Sequence, residues 1–203
     1  MDKEEFFYLK PDRELHDFIM QCKHKAKKLC GTQQYLDDTP HLTLYVNKFD
    51  NRAKVIDIIN TIKLPDPQIF IKGWTTFFND PITNGNSLVL EISNASLEKL
   101  QHFQMELINK TVAYQSRQKL SRYSNTETYS NEMKLALEKY GFPFAGPHWR
   151  AHFTIASFKK DDYTKVWHEL QKMKIPTEGK LHSLSYSEIH PNNKFIPIAM
   201  KEF

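Results

Sequence analysis

Glycine and cysteine are scarce in this chain, with 6 glycines and 2 cysteines among 203 residues. With only 10 prolines as well, the composition excludes a collagen-like or low-complexity chain. Two cysteines supply neither a disulfide framework nor a zinc-ligand spacing. Cys22 and Cys30 fall in one segment of helical period, about 12 Å apart along its axis. A disulfide needs alpha carbons within about 7 Å, so the pair is expected to stay reduced. No run of about 18 apolar residues exists, so no membrane-spanning helix is expected. The opening MDKEEFFYLK lacks the basic start and apolar middle of a secretory signal. Together with two reduced thiols this leads us to expect a cytoplasmic protein. A strong excess of either charge is also missing: 28 basic against 24 acidic residues leave +4 and a pI near 8.9. That mild excess suits an anionic ligand and equally suits a slightly basic globular protein.

The remaining composition, 40% hydrophobic and 26% charged, is that of a globular chain long enough to bury a sizeable core. Periodicity divides it into alternating elements. EFFYLK at 5–10 reads as a buried strand, and Pro11–Asp12 mark a helix start. Leu15, Phe18, Ile19, Cys22, Ala26 and Leu29 then recur at helical spacing up to Gly31. Within that helix KHKAKK at 23–28 reads as the solvated face. A strand is expected at 40–47, a helix over 51–63, and strands at 68–78 and 87–92. A third helix runs through Leu97, Leu100, Leu107 and Ile108, interrupted by the polar Gln104. Residues 114–131, YQSRQKLSRYSNTETYSN, hold one leucine and read as a polar loop or lid. A short helix at 131–140 ends at Gly141. A strand follows at 149–158, then a helix over 161–173 opened by Asp161 or Asp162. Two closing strands are expected at 180–189 and 194–202, with HPNN as their turn.

Two short stretches stand out. Residues 40–45 read PHLTLY and residues 151–156 read AHFTIA. Each is His-apolar-Thr-apolar on a predicted strand, followed by an amphipathic helix and then a strand pair. At this composition a given histidine begins that phrase by chance about once in a hundred. None of the other seven histidines has a threonine two residues on. Side chains two apart on a strand share a face. By that parity His41, Thr43 and Tyr45 face one way, against Leu42, Leu44 and Val46. Likewise Arg150, His152, Thr154 and Ala156 oppose Trp149, Ala151, Phe153 and Ile155. The duplicated order predicts an α+β fold of two pseudo-symmetric lobes, antiparallel strands backed by helices, with a central cleft between two polar faces. We take residues 1–203 as a single bilobal domain.

PHLTLY and AHFTIA resemble the paired His-x-Thr motifs of the two-histidine (2H) phosphoesterase superfamily, which includes 2′-5′ RNA ligase-like proteins and cyclic nucleotide phosphodiesterases. The resemblance covers nearly the whole chain in element order, and the two strands in residue detail. It implies an active cleft between lobes and metal-free chemistry on a phosphodiester, with His41, Thr43, His152 and Thr154 as catalytic residues. YGFPFAGPHWRAHFTIAS at 140–157 is also similar to a branch of that superfamily associated with phosphonate metabolism, in which an Arg stands two before the second histidine.

The residue types fit such chemistry independently. Imidazole titrates near neutrality, so one neutral and one charged histidine can serve as base and acid. Threonine hydroxyls on rigid strands can donate to phosphate oxygens. No cluster at metal-ligand spacing appears, and neither metal nor cofactor is expected. Arg150 is a candidate phosphate clamp, or the partner of a carboxylate beneath the site. Tyr45 is a candidate for stacking on a base. Arg122 and Tyr123, with Tyr114, Arg117 and Tyr129, interleave aromatics and positive charge as nucleotide-binding lids do, though a solvated loop has the same composition. The expected ligand is a nucleotide, a cyclic nucleotide or a short RNA, with a sugar phosphate or phosphonate intermediate as the alternative substrate and a silent RNA-binding module as the alternative class. The chain is expected to act as a monomer, away from membranes.

Overall fold

The computed structural model describes residues 4–80, 82–118, 120–190 and 194–203. Among these, seven strands and five α-helices follow the predicted order. Strand β1 (Glu4–Pro11) leads into helix α1 (Arg13–Cys30), strand β2 (Leu42–Asn47) and helix α2 (Arg52–Thr61). Strands β3 (Gln68–Phe77) and β4 (Asn86–Ile92) precede helix α3 (Asn94–Thr111) and, after two 3-10 turns, helix α4 (Asn131–Tyr140). Strand β5 (His152–Phe158), helix α5 (Lys160–Leu170), and strands β6 (Glu178–His190) and β7 (Lys194–Glu202) complete the chain. Of the expected HPNN turn, residues 191–193 lie outside the described residues.

Local chemistry sets the ends of several helices. The Asp12 carboxylate accepts the Leu15 N–H at 3.0 Å at the start of α1, and the Ser130 hydroxyl accepts the Met133 N–H at 3.2 Å at the start of α4, which satisfies donors a helix cannot pair internally. Helix α4 ends at Gly141, whose φ of 66° only glycine enters freely. A side chain there would also strike the Asn47 amide. Helix α5 departs from expectation. Its N-cap is Lys159, which makes no capping bond, and Asp161 and Asp162 sit inside the first turn, where they favour the positive end of the helix dipole.

Every strand pairing is antiparallel, and β6 is the hinge of the sheet. One edge of β6 pairs with β1, and β1 pairs with β2. The other edge is shared. Residues 178–180 pair with β3, and residues 183–190 pair with β7. Strand β3 continues through β4 to β5. The sheet therefore divides at β6 into two wings that end in β2 and β5, the two histidine strands. Helices α1 and α3 lay apolar stripes against the wings, burying Leu15, Ile19, Cys22 and Ala26 from one and Leu100, Phe103, Leu107 and Ile108 from the other. Both cysteines are free thiols.

Each histidine strand carries a one-residue irregularity at the same place. Tyr8 pairs with Thr43 and Phe7 with Tyr45, which leaves Leu44 as the extra residue on β2. Val89 pairs with Thr154 and Leu88 with Ala156, which leaves Ile155 as the extra residue on β5. A bulge of this kind reverses the alternation of faces beyond it. The parity expected from sequence therefore holds through the extra residues, Leu44 and Ile155, which are buried as expected, and inverts beyond them.

Candidate active site

A cleft of about 310 Å³ lies between the wings, lined by His41 and Thr43 from one histidine strand and by His152 and Thr154 from the other. Both imidazoles are held in the same way. His41 Nδ1 lies 2.7 Å from the Thr39 carbonyl, and His152 Nδ1 lies 2.6 Å from the Arg150 carbonyl. A carbonyl can only accept, so each Nδ1 carries the proton and each neutral ring keeps its Nε2 lone pair. Rings fix the orientations further. His41 meets Phe6, Tyr8 and Phe195 edge to face, at centroid distances of 5.6, 5.5 and 5.1 Å. His152 stands perpendicular to Phe77 at 4.8 Å. The Thr43 and Thr154 side chains form no hydrogen bond with any described residue, which leaves both hydroxyls available to a ligand.

Burial disfavours the charged form of both imidazoles. It pushes His41 down to about 4, aided by the charges of Lys23 and His152 and opposed by its bond to the Thr39 carbonyl. It also lowers His152, aided by the Arg150 charge and opposed by its bond to the Arg150 carbonyl and by Asp80 and Glu91. That each ring retains some exposure to the cleft leaves a path for protons.

Arg150 lines the cleft and is anchored from below. Its Nε donates to Glu91 at 2.9 Å, and a terminal nitrogen bonds the same oxygen. The guanidinium lies 4.6 Å over the Phe77 ring. Glu91, directly across the ladder from His152, also accepts from Lys72 and Thr75, each at 2.8 Å. Burial alone would raise this carboxyl, but bonds from Lys72, Arg150 and Thr75 outweigh it and hold it near 2. The carboxylate beneath the site is thus Glu91, a residue that does not stand out in the sequence. Its signal was a lone acid within the apolar run SLVLEI.

Tyr45 is a correction. Expected on the cleft face, it lies on the opposite side because the bulge at Leu44 inverts the strand. It is 0% exposed, and its hydroxyl donates to the Tyr140 carbonyl at 2.7 Å and accepts from the Asn47 amide at 2.5 Å. Ala156 is turned into the core by the matching bulge at Ile155, and Val46, expected in the core, lines the cleft. Tyr45→Phe should therefore cost about 1 kcal/mol of stability, the usual worth of such a bond, and leave turnover unchanged. Urea melts and steady-state kinetics on one preparation check both halves, and a large loss of kcat would return Tyr45 to the cleft.

The segment at 114–131 is neither a bare loop nor an open lid. Leu120, Tyr123 and Tyr129 are buried. Tyr123 packs edge-on against Phe142 and Phe144, at 5.7 and 6.2 Å. Arg122 pairs with Glu4 at the start of β1. Arg122 and Tyr123 both line the cleft, as part of its wall. Lys23 is a second correction. Placed by sequence on a solvated helix face, it is 2% exposed and lines the same cleft. Its position four residues after Ile19 puts it on the buried stripe of α1, and that spacing was the available signal.

Two long-range bonds secure the bulge of β2. Trp149 Nε1, from just before β5, donates to the Thr43 carbonyl at 2.9 Å. Gln104 Nε2, from α3, donates to the Leu44 carbonyl at 2.9 Å and the Phe144 carbonyl at 3.2 Å, while its oxygen accepts the Gly146 N–H at 3.0 Å. The polar interruption of α3 is the brace of the first motif. Among the described residues no three His, Cys, Asp or Glu side chains group as metal ligands do, and no helix is long and apolar enough to cross a membrane.

No family model and no curated protein sequence matches the chain. Solved structures do. Escherichia coli LigT complexed with phosphate is 11% identical, aligns over 98% of this chain and 96% of its own, and superposes with a TM-score of 0.57. TT0787 of Thermus thermophilus is 14% identical over 98% and 97%, with a TM-score of 0.58. A structure described as a phosphoesterase is 11% identical over 100% and 98%, with a TM-score of 0.55. The chain has the fold of these proteins from end to end. That is the two-lobed α+β fold which the His-x-Thr resemblance implied, and nothing in these likenesses singles out the phosphonate-associated branch.

Proposed function

We propose that the protein is a phosphodiesterase of the two-histidine type, acting on a cyclic phosphodiester or on a 2′-5′ or 3′-5′ nucleotide linkage. One observation carries this reading. Two imidazoles, each pinned through Nδ1 to the carbonyl two residues earlier and each followed by an unbonded threonine hydroxyl, line one cleft from opposite wings. A water oxygen attacks phosphorus while one Nε2 takes its proton. The P–O bond on the far side breaks, and the other Nε2–H gives its proton to the departing ribose oxygen. The two hydroxyls and Arg150 donate to the phosphate oxygens as charge moves onto them. The aromatic walls at Tyr123, Phe142 and Trp149 suit a base. Structures of LigT complexed with 3′-AMP, with NADP+ and with ATP lend support to a nucleotide ligand.

The test is a screen of purified protein in EDTA against nucleoside 2′,3′-cyclic phosphates, 2′-5′ and 3′-5′ dinucleotides, cyclic dinucleotides and sugar cyclic phosphates. Turnover of a nucleotide substrate is expected to survive the chelator, because the proposed acid, base and donors are all side chains. Turnover restored only by a divalent ion would overturn the mechanism. Turnover of the sugar phosphates alone would move the substrate to that class, and nucleotide binding without turnover would make the protein a binding module.

The pH dependence follows from the two lowered histidines. At pH 7 both rings of the free protein are neutral, so the form with one charged ring grows as pH falls. The profile of kcat/KM should be bell-shaped with its optimum below pH 6.5. A bound phosphate raises both rings, so the kcat profile should lie to the alkaline side of it. An optimum of kcat/KM above pH 7 would contradict this arrangement.

A further inference from the structure

Lys23 has no part in the acid–base chemistry, yet its ammonium is buried in the wall of the same cleft. Nζ donates to the Tyr35 carbonyl at 2.5 Å. An ammonium has three donors, and no other bond to it is made by the described residues. Burial brings its pKa down to about 8, with Asp38 and Asp37 opposing through space, so at neutral pH it is still mostly a cation. Arg122 is half-buried, its side chain 27% exposed, and it too has spare donors. One terminal nitrogen meets Glu4, but its buried Nε has no partner. Tyr35 connects the two. Its carbonyl takes Lys23, and its hydroxyl feels the Arg122 charge. Tyr35 adopts a φ of 70°, which non-glycine residues seldom enter.

Buried cations with spare donors are costly unless something pairs with them. The anions nearby are largely committed. Asp80 accepts the Ser87 hydroxyl at 2.5 Å and the Ile82 N–H at 2.9 Å, and Asp37 pairs with Lys27 at 2.7 Å. Asp38 lines the same cleft and acts on Lys23 through space, but makes no direct bond to it. The scissile phosphate is already provided for by His41, Thr43, His152 and Thr154.

We infer that Lys23 and Arg122 form a second anion subsite, which holds another phosphate group of the same substrate while the scissile phosphodiester sits between the histidines. The substrate class is then a nucleotide with two phosphate groups. This rests on the phosphodiesterase reading of the cleft and adds a specificity that reading does not require.

Calorimetric titration of the full chain, which needs no turnover, separates the two. The probes are adenosine 3′-monophosphate, adenosine 3′,5′-bisphosphate and the 3′-phosphorylated dinucleotide ApAp, whose second phosphate is an internal diester. The protein should bind at least one two-phosphate probe about 10- to 100-fold tighter than the monophosphate, the usual range for a charged hydrogen bond. Lys23→Met and Arg122→Gln should each bring that ratio toward one. Lys23 also acts on His41 through space, and that effect cancels in the ratio because all three probes place a phosphate at the histidines. A Lys23-dependent gain with the bisphosphate assigns a terminal phosphate, and the same gain with ApAp alone assigns an internal one. Monophosphate binding with a ratio near one, or a ratio that survives both substitutions, overturns the subsite and leaves the phosphodiesterase reading standing. Failure of all three probes to bind overturns the subsite together with the nucleotide form of the phosphodiesterase reading, and leaves the sugar phosphates to the turnover screen.

Discussion

His41→Ala should lower kcat on a confirmed phosphodiester substrate by about 10²–10⁴-fold, and His152→Ala should do the same, since each removes one partner of a proton-transfer pair. The reason is geometric. With Nδ1 of each ring committed to a carbonyl, Nε2 is the only atom of either ring that can exchange a proton with the substrate. The rings packed on His41 do not replace it, because Phe6 and Phe195 carry no titratable group and the Tyr8 hydroxyl is bonded to Ser187. The double variant should be little worse than either single one, because the two groups act as a unit. Thr43→Val or Thr154→Val should cost less, since each deletes one of several donors to the phosphate. Each single histidine variant should also lose one limb of the bell-shaped profile. Melting curves establish that the variants are folded. Folded His41→Ala and His152→Ala proteins that turn over at the parent rate would make the repeated phrase a feature of packing.

Gln104→Leu should destabilise the protein by about 3 kcal/mol or more, although it replaces a polar residue in the interior with an apolar one. Gln104 is fully buried and satisfies three backbone groups: the Leu44 and Phe144 carbonyls and the Gly146 N–H. Each such group left unpaired costs about 1–3 kcal/mol. Leucine matches the size and helix propensity of glutamine but offers none of them a partner. In urea the midpoint should fall without a change in slope, the mark of altered stability rather than altered unfolding. Because the Leu44 carbonyl belongs to the bulge beside Thr43, kcat should fall as well, at temperatures where the variant is still folded. A midpoint within the error of the parent would show that the bulge holds without its brace.

Much of the architecture was legible because it is written in short-range terms. The period-2 strands and the amphipathic stripes of α1 and α3 are local patterns, and Asp12, Ser130 and Gly141 are local caps. So is the identity of the motif residues up to each threonine, because His41, Thr43, His152 and Thr154 need only strand alternation to reach one face. Parity failed at Tyr45, Val46 and Ala156, two or three residues past a threonine and just beyond each extra residue. Nothing in LTLY or FTIA announces an extra residue in the ladder. The bulge at Leu44 is held by Trp149 and Gln104, residues distant in sequence.

Lys23 and Glu91 were overlooked for a related reason. A charged residue beside lysines reads as solvated, and a single acid in an apolar strand carries no local sign of the partners it will meet. Which charges are buried depends on what the other wing brings over them. The element order, the duplication and the two imidazoles with their hydroxyls were readable from local pattern, because they follow from periodicity and composition along a few residues. Long-range packing set where the two wings part at β6 to enclose one cleft, seated Arg150 on Glu91 and placed Lys23 in the cleft wall. Those outcomes depend on strand register and on bonds between residues far apart in the chain, and no local pattern encodes either.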